Sequence, residues 1–359
     1  MIQGILSDEN VLITDIKESS QLYNKGYHGE PQSGGTLKLD LVESAYLLDV
    51  GRISITQDNK EMNLEDLMAY AIKCQPNFEI KYLVYRDLRE RGYVAKPSPE
   101  PFDFRLYPRG GVPGKTPTRA WVLALSERSE FNIQTFFTYS DRAMELKKEF
   151  LVGIVDEEGD VTYYQVSRAH PKGRFAGTLE DAINKSKMNI PVNAFLLEDL
   201  VLVWDEEFAK VLSSEFFGKV SGKYLQLSLI ETTYLVEKGL IQVKNAKTGK
   251  MLTERTLKQK GAKVQSDFGI RLAAYRALKS EGAIVKTGFK YGTHFRIYEG
   301  DPTKQHARYL LHAVPKSYKS SWPEVSRAVR LAQGVRKEML FAMVGEDKVD
   351  YLKLSRIKP

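Results

Sequence analysis

Three side chains near the C-terminus, Tyr298, His306 and Lys337, have the chemical types needed to cleave a phosphodiester. A phenol, an imidazole and an ammonium can together transfer protons and stabilise negative charge at a phosphate without a metal ion. When a ribose 2′-hydroxyl attacks the neighbouring phosphate, a base takes its proton, an acid protonates the leaving 5′-oxygen, and a cation stabilises the phosphorane. The three side chains match these three roles.

Tyr298 and His306 are positioned by a predicted hairpin. Alternating apolar residues in FRIY (295–298) and YLLHAV (309–314) predict two strands, and EGDPTKQHAR between them predicts the loop. Tyr298 therefore closes one strand, and His306 lies in the loop. We expect both side chains to face solvent and a substrate.

Lys337 is expected on a long helix that follows the hairpin. The helix is predicted to begin at Ser321, with Glu324 three residues later as a capping box. Arg330 and Lys337 would lie two turns apart on one face of this helix, and that basic face would form the floor of the site. The predicted apolar stripe of the helix comprises Val325, Val329, Ala332, Met339 and Met343.

Composition limits the class of protein. A chain of 359 residues with 42% hydrophobic content exceeds one ordinary domain and can bury sizeable cores. The net charge of +7 is a weak indication of a nucleic-acid partner, because 53 basic residues oppose 46 acidic ones. No apolar run is long enough to span a membrane, and Cys74 alone cannot form an intrachain disulfide or a cysteine-rich zinc site. We expect a cytoplasmic protein.

An internal repeat determines the predicted architecture. Residues 37–55, LKLDLVESAYLLDVGRISI, match residues 225–243, LQLSLIETTYLVEKGLIQV. The mixture of strands and helices, without regular alternation, predicts an α+β tandem duplication in which a small N-terminal α/β subdomain precedes a catalytic-type domain. The predicted boundaries are 1–62 and 63–168 in the first repeat, 169–194 for a polar linker, and 195–254 and 255–359 in the second repeat.

The segments FKYGTHFRIYEGDP (289–302) and RAVRLAQGVRKEMLFAMV (327–344), with the spacing of the three residues above, resemble the catalytic domain of the tRNA-splicing endonuclease family. The two repeats resemble its archaeal homodimeric form. The resemblance implies a restriction-endonuclease-like catalytic domain that excises introns from precursor tRNA. It implies cleavage at bulge-helix-bulge sites with no metal ion or other cofactor, leaving 2′,3′-cyclic phosphate and 5′-hydroxyl ends.

The resemblance also implies that Tyr298 is the base. A phenol ordinarily titrates near ~10, and a neighbouring cation such as Lys337 favours phenolate. An imidazole ordinarily titrates near ~6.5, which makes His306 the natural acid. Lys337 is the natural charge stabiliser.

The two repeats differ at these positions. Tyr107 and Lys148 of the first repeat correspond to Tyr298 and Lys337, but aligning TRAWVLAL with HARYLLHA places Thr118 opposite His306. A threonine hydroxyl cannot exchange a proton near neutral pH as an imidazole can. We therefore expect the first repeat to be an inactive, structural copy and the chain to have one active site.

Further residues are carried over by the resemblance. Arg330 and Arg356 are expected to clamp a flipped bulge base between two guanidinium planes, since unpaired bases in RNA are commonly recognised by stacking. The acidic loop, defined here as residues 156–160, is expected to dock on the active domain of a second subunit and fix a homodimer. Its carboxylates belong to Asp156, Glu157, Glu158 and Asp160.

Several alternatives remain open at this point. His294 shares a strand face with Tyr298, and His312 lies within YLLHAV; we interpret both as structural. A non-catalytic RNA-binding or structural subunit of the same fold is one rival function. A metal-dependent DNA nuclease is another, although it would need clustered carboxylates, and none is evident beside the predicted basic helix.

Overall fold

A computed structural model describes residues 2–359, which form two compact units. The first unit comprises the residues up to Ser167 together with Lys319–Ser326 and Leu354–Pro359. The second unit comprises Arg168–Tyr318 and Arg327–Lys353. Each unit corresponds to one repeat, except that two short segments of the second repeat belong to the first unit.

The first half of the chain contains short strands and helices in a mixed order. Its strands are β1 (Ile2–Ser7), β2 (Asn10–Ile13), β3 (Glu30–Pro31), β4 (Leu37–Asp40), β5 (Ile53–Gln57), β6 (Lys60–Met62), β7 (Ala95–Pro97), β8 (Phe104–Leu106), β9 (Ala120–Ser126), β10 (Glu130–Asn132), β11 (Glu149–Val155) and β12 (Val161–Ala169). Its helices are α1 (Ile16–Asn24), α2 (Leu41–Asp49), α3 (Leu64–Cys74), α4 (Phe78–Glu90) and α5 (Ile133–Glu145).

The second half repeats this order after one additional helix. That helix is α6 (Thr178–Ser186), and it is followed by α7 (Glu206–Ser214), α8 (Leu229–Glu237), α9 (Glu254–Val264), α10 (Phe268–Ser280) and α11 (Trp322–Gly334). The strands are β13 (Val192–Leu196), β14 (Val201–Val203), β15 (Lys219–Ser221), β16 (Tyr224–Leu227), β17 (Ile241–Asn245), β18 (Met251–Leu252), β19 (Ile284–Thr287), β20 (Phe295–Tyr298), β21 (Tyr309–Pro315), β22 (Lys319–Ser321), β23 (Glu338–Val344) and β24 (Val349–Ile357). The predicted α+β tandem duplication is confirmed.

The N-terminal subdomains of the two repeats have the same sheet. The strand order is β3-β4-β2-β1-β5-β6 in the first and β15-β16-β14-β13-β17-β18 in the second. A matching helix in each subdomain begins with a capping box, formed by Asp40 with Glu43 in α2 and by Ser228 with Glu231 in α8. The cap satisfies backbone N–H groups that would otherwise be unpaired at the helix start.

The catalytic-type domains also share a strand order. In the second unit the order is β19-β20-β21-β23-β24, and in the first unit it is β7-β8-β9-β11-β12. β20 and β21 are antiparallel, whereas β21 and β23 are parallel. This register determines which residues meet where the strands end, and the candidate site lies at one such end.

Each unit forms the same contact between its N-terminal subdomain and its catalytic-type domain. The Lys96 Nζ donates to the Gly29 carbonyl oxygen at 2.6 Å, and the Lys286 Nζ donates to the Gly218 carbonyl oxygen at 2.9 Å. Burial lowers the pKa of Lys286. Lys96 lies on β7 and Lys286 lies on β19. The same contact therefore holds each of these strands to the N-terminal subdomain of its unit.

The segment predicted as a linker is folded. Helix α6 lies within residues 169–194, and its Leu179 and Ile183 are buried in the core of the second unit. The two apolar residues are four positions apart and therefore share a helix face. β13 begins at Val192, before the boundary predicted at residue 195. Within residues 2–359, no helix is both long and apolar enough to cross a membrane.

Candidate active site

Strand register brings Tyr298, His306 and Lys337 to one edge of the second unit's sheet. Ile297 pairs with Tyr309, and Tyr309 pairs with Glu338. Tyr298 is the last residue of β20, His306 precedes the start of β21 by three residues, and Lys337 immediately precedes β23. The end of one antiparallel strand and the starts of two parallel strands therefore meet at the same place.

Tyr298 is held by apolar packing. Its side chain is 9% exposed and packs in a small cluster with Ile284, its pairing partner on β19, and Ala307. The prediction that the Tyr298 side chain faces solvent is therefore wrong. Because Ala307 belongs to the same cluster, the packing also fixes the residue that follows His306.

His306 lies in an exposed, internally bonded loop. The Asp301 side chain accepts hydrogen bonds from the backbone N–H and the hydroxyl of Thr303, at 2.8 and 2.7 Å. The Asp301 carbonyl oxygen accepts from the N–H groups of Lys304 and Gln305 at 3.0 and 3.1 Å. The loop thus has a defined conformation while the imidazole remains accessible to a ligand.

Lys337 lies beyond the end of α11, and the prediction that it belongs to the helix is wrong. The helix ends at Gly334, and Arg336 adopts a left-handed conformation with φ 56°. The N–H groups of Arg336 and Lys337 donate to Gln333 and Ala332 carbonyl oxygens, both at 2.9 Å, which is a Schellman motif. The Lys337 Nζ donates to the Val335 carbonyl oxygen at 3.0 Å, so its charge lies at the negative end of the helix.

The predicted apolar stripe was correspondingly too long. Val325, Val329 and Ala332 are buried on α11 as predicted, but Met339 and Met343 belong to β23. A continuous apolar run is compatible with a buried strand as well as with a helix. Parallel pairing of β23 with β21 determines the outcome here.

Two residues of the site were missed from the sequence, namely Tyr291 and Arg296. The Lys337 Nζ lies 5.5 Å from the Tyr291 ring centroid. The Arg296 guanidinium carbon lies 6.0 Å from the ring centroids of both Tyr291 and Tyr298. Arg296 could have been found by strand parity, because it precedes Tyr298 by two residues and so shares its face. No pattern in the sequence predicts that Tyr291 contacts Lys337.

Of these two, only Tyr291 distinguishes the second repeat from the first. The Arg296 Nε donates to the Thr287 carbonyl oxygen at 2.9 Å, and Arg105 in the first repeat donates to the Pro97 carbonyl oxygen at 3.3 Å. Arg296 therefore has a structural function common to both repeats. The first repeat reads KPSPEPFDF (96–104) where the second reads KTGFKYGTHF (286–295), and it has no counterpart of the Tyr291 turn.

Register also corrects the residue opposite His306 in the first repeat. Ala120 pairs with Glu149 as Tyr309 pairs with Glu338, and the Arg119–Glu149 ion pair corresponds to the one between Arg308 and Glu338. Counting back from these pairs places Pro117, and not Thr118, at the position of His306. Pro117 has no side-chain proton to exchange, so the first repeat still lacks the imidazole.

Lys148 keeps the backbone geometry of Lys337. Lys147 has φ 54°, and the Lys148 N–H donates to the Ala143 carbonyl oxygen at 2.9 Å. This is the same Schellman turn that precedes β23. Tyr107, the counterpart of Tyr298, is buried. The first repeat thus preserves the framework and two of the three side-chain types.

His294 and His312 form a separate, largely buried pair. Their rings are 5.0 Å apart, and the His294 Nδ1 accepts a hydrogen bond from the Ala313 N–H at 3.1 Å. Burial lowers the pKa of His294 to about 4, with Arg271 and His312 contributing, and burial lowers the pKa of His312 to about 4. Both rings are neutral near pH 7 and have structural surroundings, as the sequence suggested.

The two predicted RNA-binding arginines are both exposed. Arg330 lies in the part of α11 that belongs to the second unit. Arg356 lies on the last strand, in the part of β24 that belongs to the first unit.

The acidic loop is a tight hairpin turn between β11 and β12. The Asp156 Oδ1 accepts from the N–H groups of Glu158 and Asp160 at 3.0 and 2.9 Å, and Glu157 forms an ion pair with Arg128 at 2.7 Å. Asp156 therefore stabilises the turn itself. Within residues 2–359, Glu158 and Asp160 are exposed and form no ion pair.

No three His, Cys, Asp or Glu side chains among residues 2–359 are grouped so that they could hold a metal ion. The acidic side chains beside the site are already paired. Glu338 lies within ion-pair distance of Arg308 and Lys353, at 3.2 and 2.9 Å, and Glu299 pairs with Arg308 at 2.9 Å. Lys353 and Arg308 lower the pKa of Glu338 despite its partial burial.

Comparison with known families assigns both subdomains in both repeats. The family model for the tRNA intron endonuclease catalytic C-terminal domain matches residues 78–163 and again residues 268–351. The family model for the tRNA intron endonuclease N-terminal domain matches residues 2–68 and again residues 192–258.

Relatives align over the whole chain. A protein of Methanococcoides burtonii named tRNA-splicing endonuclease is 39% identical over 352 residues, covering 97% of each chain. One of the same name from Methanosarcina acetivorans is 40% identical over 344 residues, covering 94% of this chain and 95% of the relative. A third, from Haloferax volcanii, is 30% identical over 378 residues and covers both chains completely. With matches of this extent to both of its domains, the chain belongs to the tRNA intron endonuclease family.

Proposed function

We propose that this protein excises introns from precursor tRNA by cutting RNA at bulge-helix-bulge sites. The reaction is a metal-independent transesterification that leaves 2′,3′-cyclic phosphate and 5′-hydroxyl ends. The observation that carries the proposal is the meeting of Tyr298, His306 and Lys337 at one sheet edge of the second repeat. The names of the relatives support the substrate class.

Each side chain takes one role in the proposed reaction. Tyr298 accepts the proton of the 2′-hydroxyl, whose oxygen attacks the adjacent phosphorus. The bond from phosphorus to the 5′-oxygen breaks, and His306 gives that oxygen a proton. Lys337 stabilises the negative charge of the phosphorane. The reaction consumes neither water nor any other reactant, because the nucleophile is the 2′-hydroxyl of the RNA itself. The three groups therefore suffice for the chemistry.

Arg330 and Arg356 are the proposed clamp on an unpaired base, and two chains form the proposed active assembly. A homodimer would present two active sites, one from each second repeat, for the two cuts that remove an intron. The acidic loop is the proposed contact between subunits. Exposed Glu158 and Asp160 support this role, because they remain available for a basic partner surface.

The test is cleavage of a synthetic bulge-helix-bulge RNA in excess EDTA, followed by analysis of the ends. We expect full activity in the chelator, 2′,3′-cyclic phosphate on one product and a 5′-hydroxyl on the other. Loss of activity that magnesium restores would overturn the mechanism. Cleavage of unbulged duplex RNA at the same rate would overturn the substrate assignment.

The remaining alternative is a non-catalytic RNA-binding or structural subunit of the same fold. It predicts tight binding of the bulged RNA without product. The intact set of three side chains in the second repeat, against the proline at the equivalent of His306 in the first, favours the enzyme.

A further inference from the structure

Phe289 is an exposed aromatic side chain beside the candidate site. It is 86% exposed, which is more than any other large hydrophobic residue among residues 2–359; the next is Ile16 at 62%. Burying a phenylalanine stabilises a folded protein, and this contribution is absent here. Packing in the folded chain therefore does not explain why a phenylalanine lies at position 289.

Phe289 is presented by an ordered turn. Residues Phe289–Tyr291 form a single 3-10 turn, called the aromatic turn below, which ends at Gly292 with φ 59°. The N–H groups of Tyr291 and Gly292 donate to the Gly288 and Phe289 carbonyl oxygens at 2.8 and 3.0 Å. A Cβ at Gly288 would lie 2.3 Å from the Thr293 Oγ1, so only glycine fits there. The backbone that carries the exposed phenyl ring is thus fixed by hydrogen bonds.

The other end of the aromatic turn contacts the catalytic lysine. The Tyr291 ring lies 5.5 Å from the Lys337 Nζ and 6.0 Å from the guanidinium carbon of Arg296. Two residues along a chain span at most about 7 Å between Cα atoms. Phe289 is therefore presented by the same short turn as the residue whose ring contacts Lys337.

The charge around Phe289 favours a polyanion over a protein partner. The segment 287–294 contains Lys290 and no aspartate or glutamate, and Lys337 and Arg296 lie beside its Tyr291. An aromatic ring among cations matches a nucleobase joined to phosphates, because the base stacks and the phosphates are neutralised.

The equivalent loop of the first repeat has no exposed aromatic side chain. Its aromatic residue between the strands, Phe102, corresponds by register to Thr293 and not to Phe289. In the loop 96–104, Phe102 is 4% exposed and its ring stacks on Trp121 with 5.5 Å between centroids. The loop that lacks the proposed chemistry buries its phenylalanine, and the loop that has it exposes one.

We propose that Phe289 is a stacking platform for an unpaired nucleobase of the RNA next to the scissile phosphate. This inference rests on the proposed function and assigns a second base contact on Phe289 itself, separate from the Arg330 and Arg356 clamp. Bases inside an A-form helix have both faces occupied, so only an unpaired base can use the platform. Phe289 is then a substrate-positioning residue.

The test compares Phe289→Ala, Phe289→Trp and Phe289→Leu with the unmodified chain on bulged RNA. Loss of one base stack should raise KM about 5- to 150-fold for Phe289→Ala, with a smaller change in kcat. Phe289→Trp should behave like the unmodified protein, whereas Phe289→Leu should resemble Phe289→Ala because it lacks a π face. Val264→Ala removes another exposed apolar side chain, 51% exposed at the end of α9, and serves as the control.

A substrate series identifies the stacked base. Each unpaired nucleotide of the RNA is replaced in turn by an abasic residue, and one replacement should abolish the difference between Phe289→Ala and the unmodified chain. The proposal is overturned if Phe289→Ala or Phe289→Leu has an unchanged KM, if the difference survives every abasic replacement, or if Phe289→Ala instead changes the sedimentation coefficient. Failure of the unmodified protein to cut any bulged RNA would overturn the proposed function separately.

Discussion

The Lys337 ammonium lies over the face of the Tyr291 ring, 5.5 Å from its centroid, while donating a hydrogen bond to the Val335 carbonyl oxygen at 3.0 Å. A cation over an aromatic face is stabilised by the ring quadrupole. The two contacts together limit where a flexible side chain can place its charge. Tyr291 is therefore a positioning residue for Lys337.

Replacing Tyr291 tests this positioning. A cation–π contact of about 0.5–2 kcal/mol corresponds to about 2- to 30-fold in rate, so Tyr291→Leu should lower the single-turnover cleavage rate by that factor. Tyr291→Phe keeps the ring and should cleave normally. In a Lys337→Ala background, Tyr291→Leu should have no further effect, because the cation is gone. Equal losses from Tyr291→Phe and Tyr291→Leu would show that the hydroxyl matters and the ring face does not.

The asymmetry between repeats is tested by one substitution in each repeat. His306→Ala should slow cleavage by about 10²–10⁴-fold, the usual contribution of a general acid. Tyr107→Phe in the first repeat should leave the rate unchanged, since Pro117 occupies the position that corresponds to His306. Single-turnover kinetics on one bulged RNA give both values. Similar losses from the two variants would mean that both repeats contribute to the reaction.

Arg330 is expected to stack on a base and not only to neutralise a phosphate. Arg330→Ala should weaken transition-state binding of bulged RNA by about 1–3 kcal/mol, measured as kcat/KM. Arg330→Lys should restore little, because an ammonium has no planar surface. Arg327→Ala on the same helix removes the same charge and is the control. Normal kcat/KM in Arg330→Lys would reduce the role of Arg330 to electrostatics.

The acidic loop can be tested without disturbing its turn. Asp156 is retained because it accepts two backbone hydrogen bonds, while Glu157, Glu158 and Asp160 become their amides. If the loop joins subunits, this variant should dissociate more readily and cut more slowly, since charges paired across an interface couple by more than about 1 kcal/mol. Sedimentation and cleavage at several salt concentrations measure both effects. The matched control changes three exposed glutamates of the same unit to glutamine: Glu30, Glu65 and Glu145.

An unchanged dimer with normal cleavage would leave the acidic loop as a solvated turn. A fall in activity without dissociation would instead indicate a local effect on the first unit. Equal losses in the control variant would attribute the change to net charge alone.

Acid should destabilise the second unit through His294 and His312. Their pKa values are lowered to about 4 by burial, whereas an unfolded histidine titrates near ~6.5. The contribution of the neutral pair is complete above about pH 6.5 and is lost as the pH falls toward 4. Urea unfolding should therefore give a free energy that falls by about 1–3 kcal/mol per histidine across this window. A double variant with asparagine at both positions should have a shallower pH dependence, and an unchanged slope would contradict the assignment.

The duplication and the hairpin that carries Tyr298 and His306 could be predicted because both depend on local patterns. Glu43 and Glu231, for example, open matching helices, and FRIY alternates as a strand should. The end of α11 was less predictable, because the apolar residues from Met339 onward suit either a helix or a strand. A left-handed Arg336 and pairing with β21 decide between them, and both are properties of the folded chain.

Pro117 illustrates a second limit of sequence reasoning. The two hairpins differ in length by two residues, so local similarity allowed an alignment that was shifted by one position. Sheet register resolves the shift, because Ala120 and Tyr309 have equivalent parallel partners. Tyr291 was missed for a related reason: its contact with Lys337 joins residues that are far apart in sequence.

The Schellman turn between α11 and β23 allows the helix to change in evolution without a change in the strand ends. Lys337 is tied to the sheet through the start of β23, whereas Arg330 is tied to the helix, and only a few residues connect them. A one-residue insertion within α11 would rotate the preceding part of the helix by about 100° relative to its end and would leave the strand ends in place. With the roles proposed above, variation in the helix alters which RNAs are accepted while the proposed catalytic groups keep their arrangement. Within such a lineage, substrate range and reaction chemistry can drift independently.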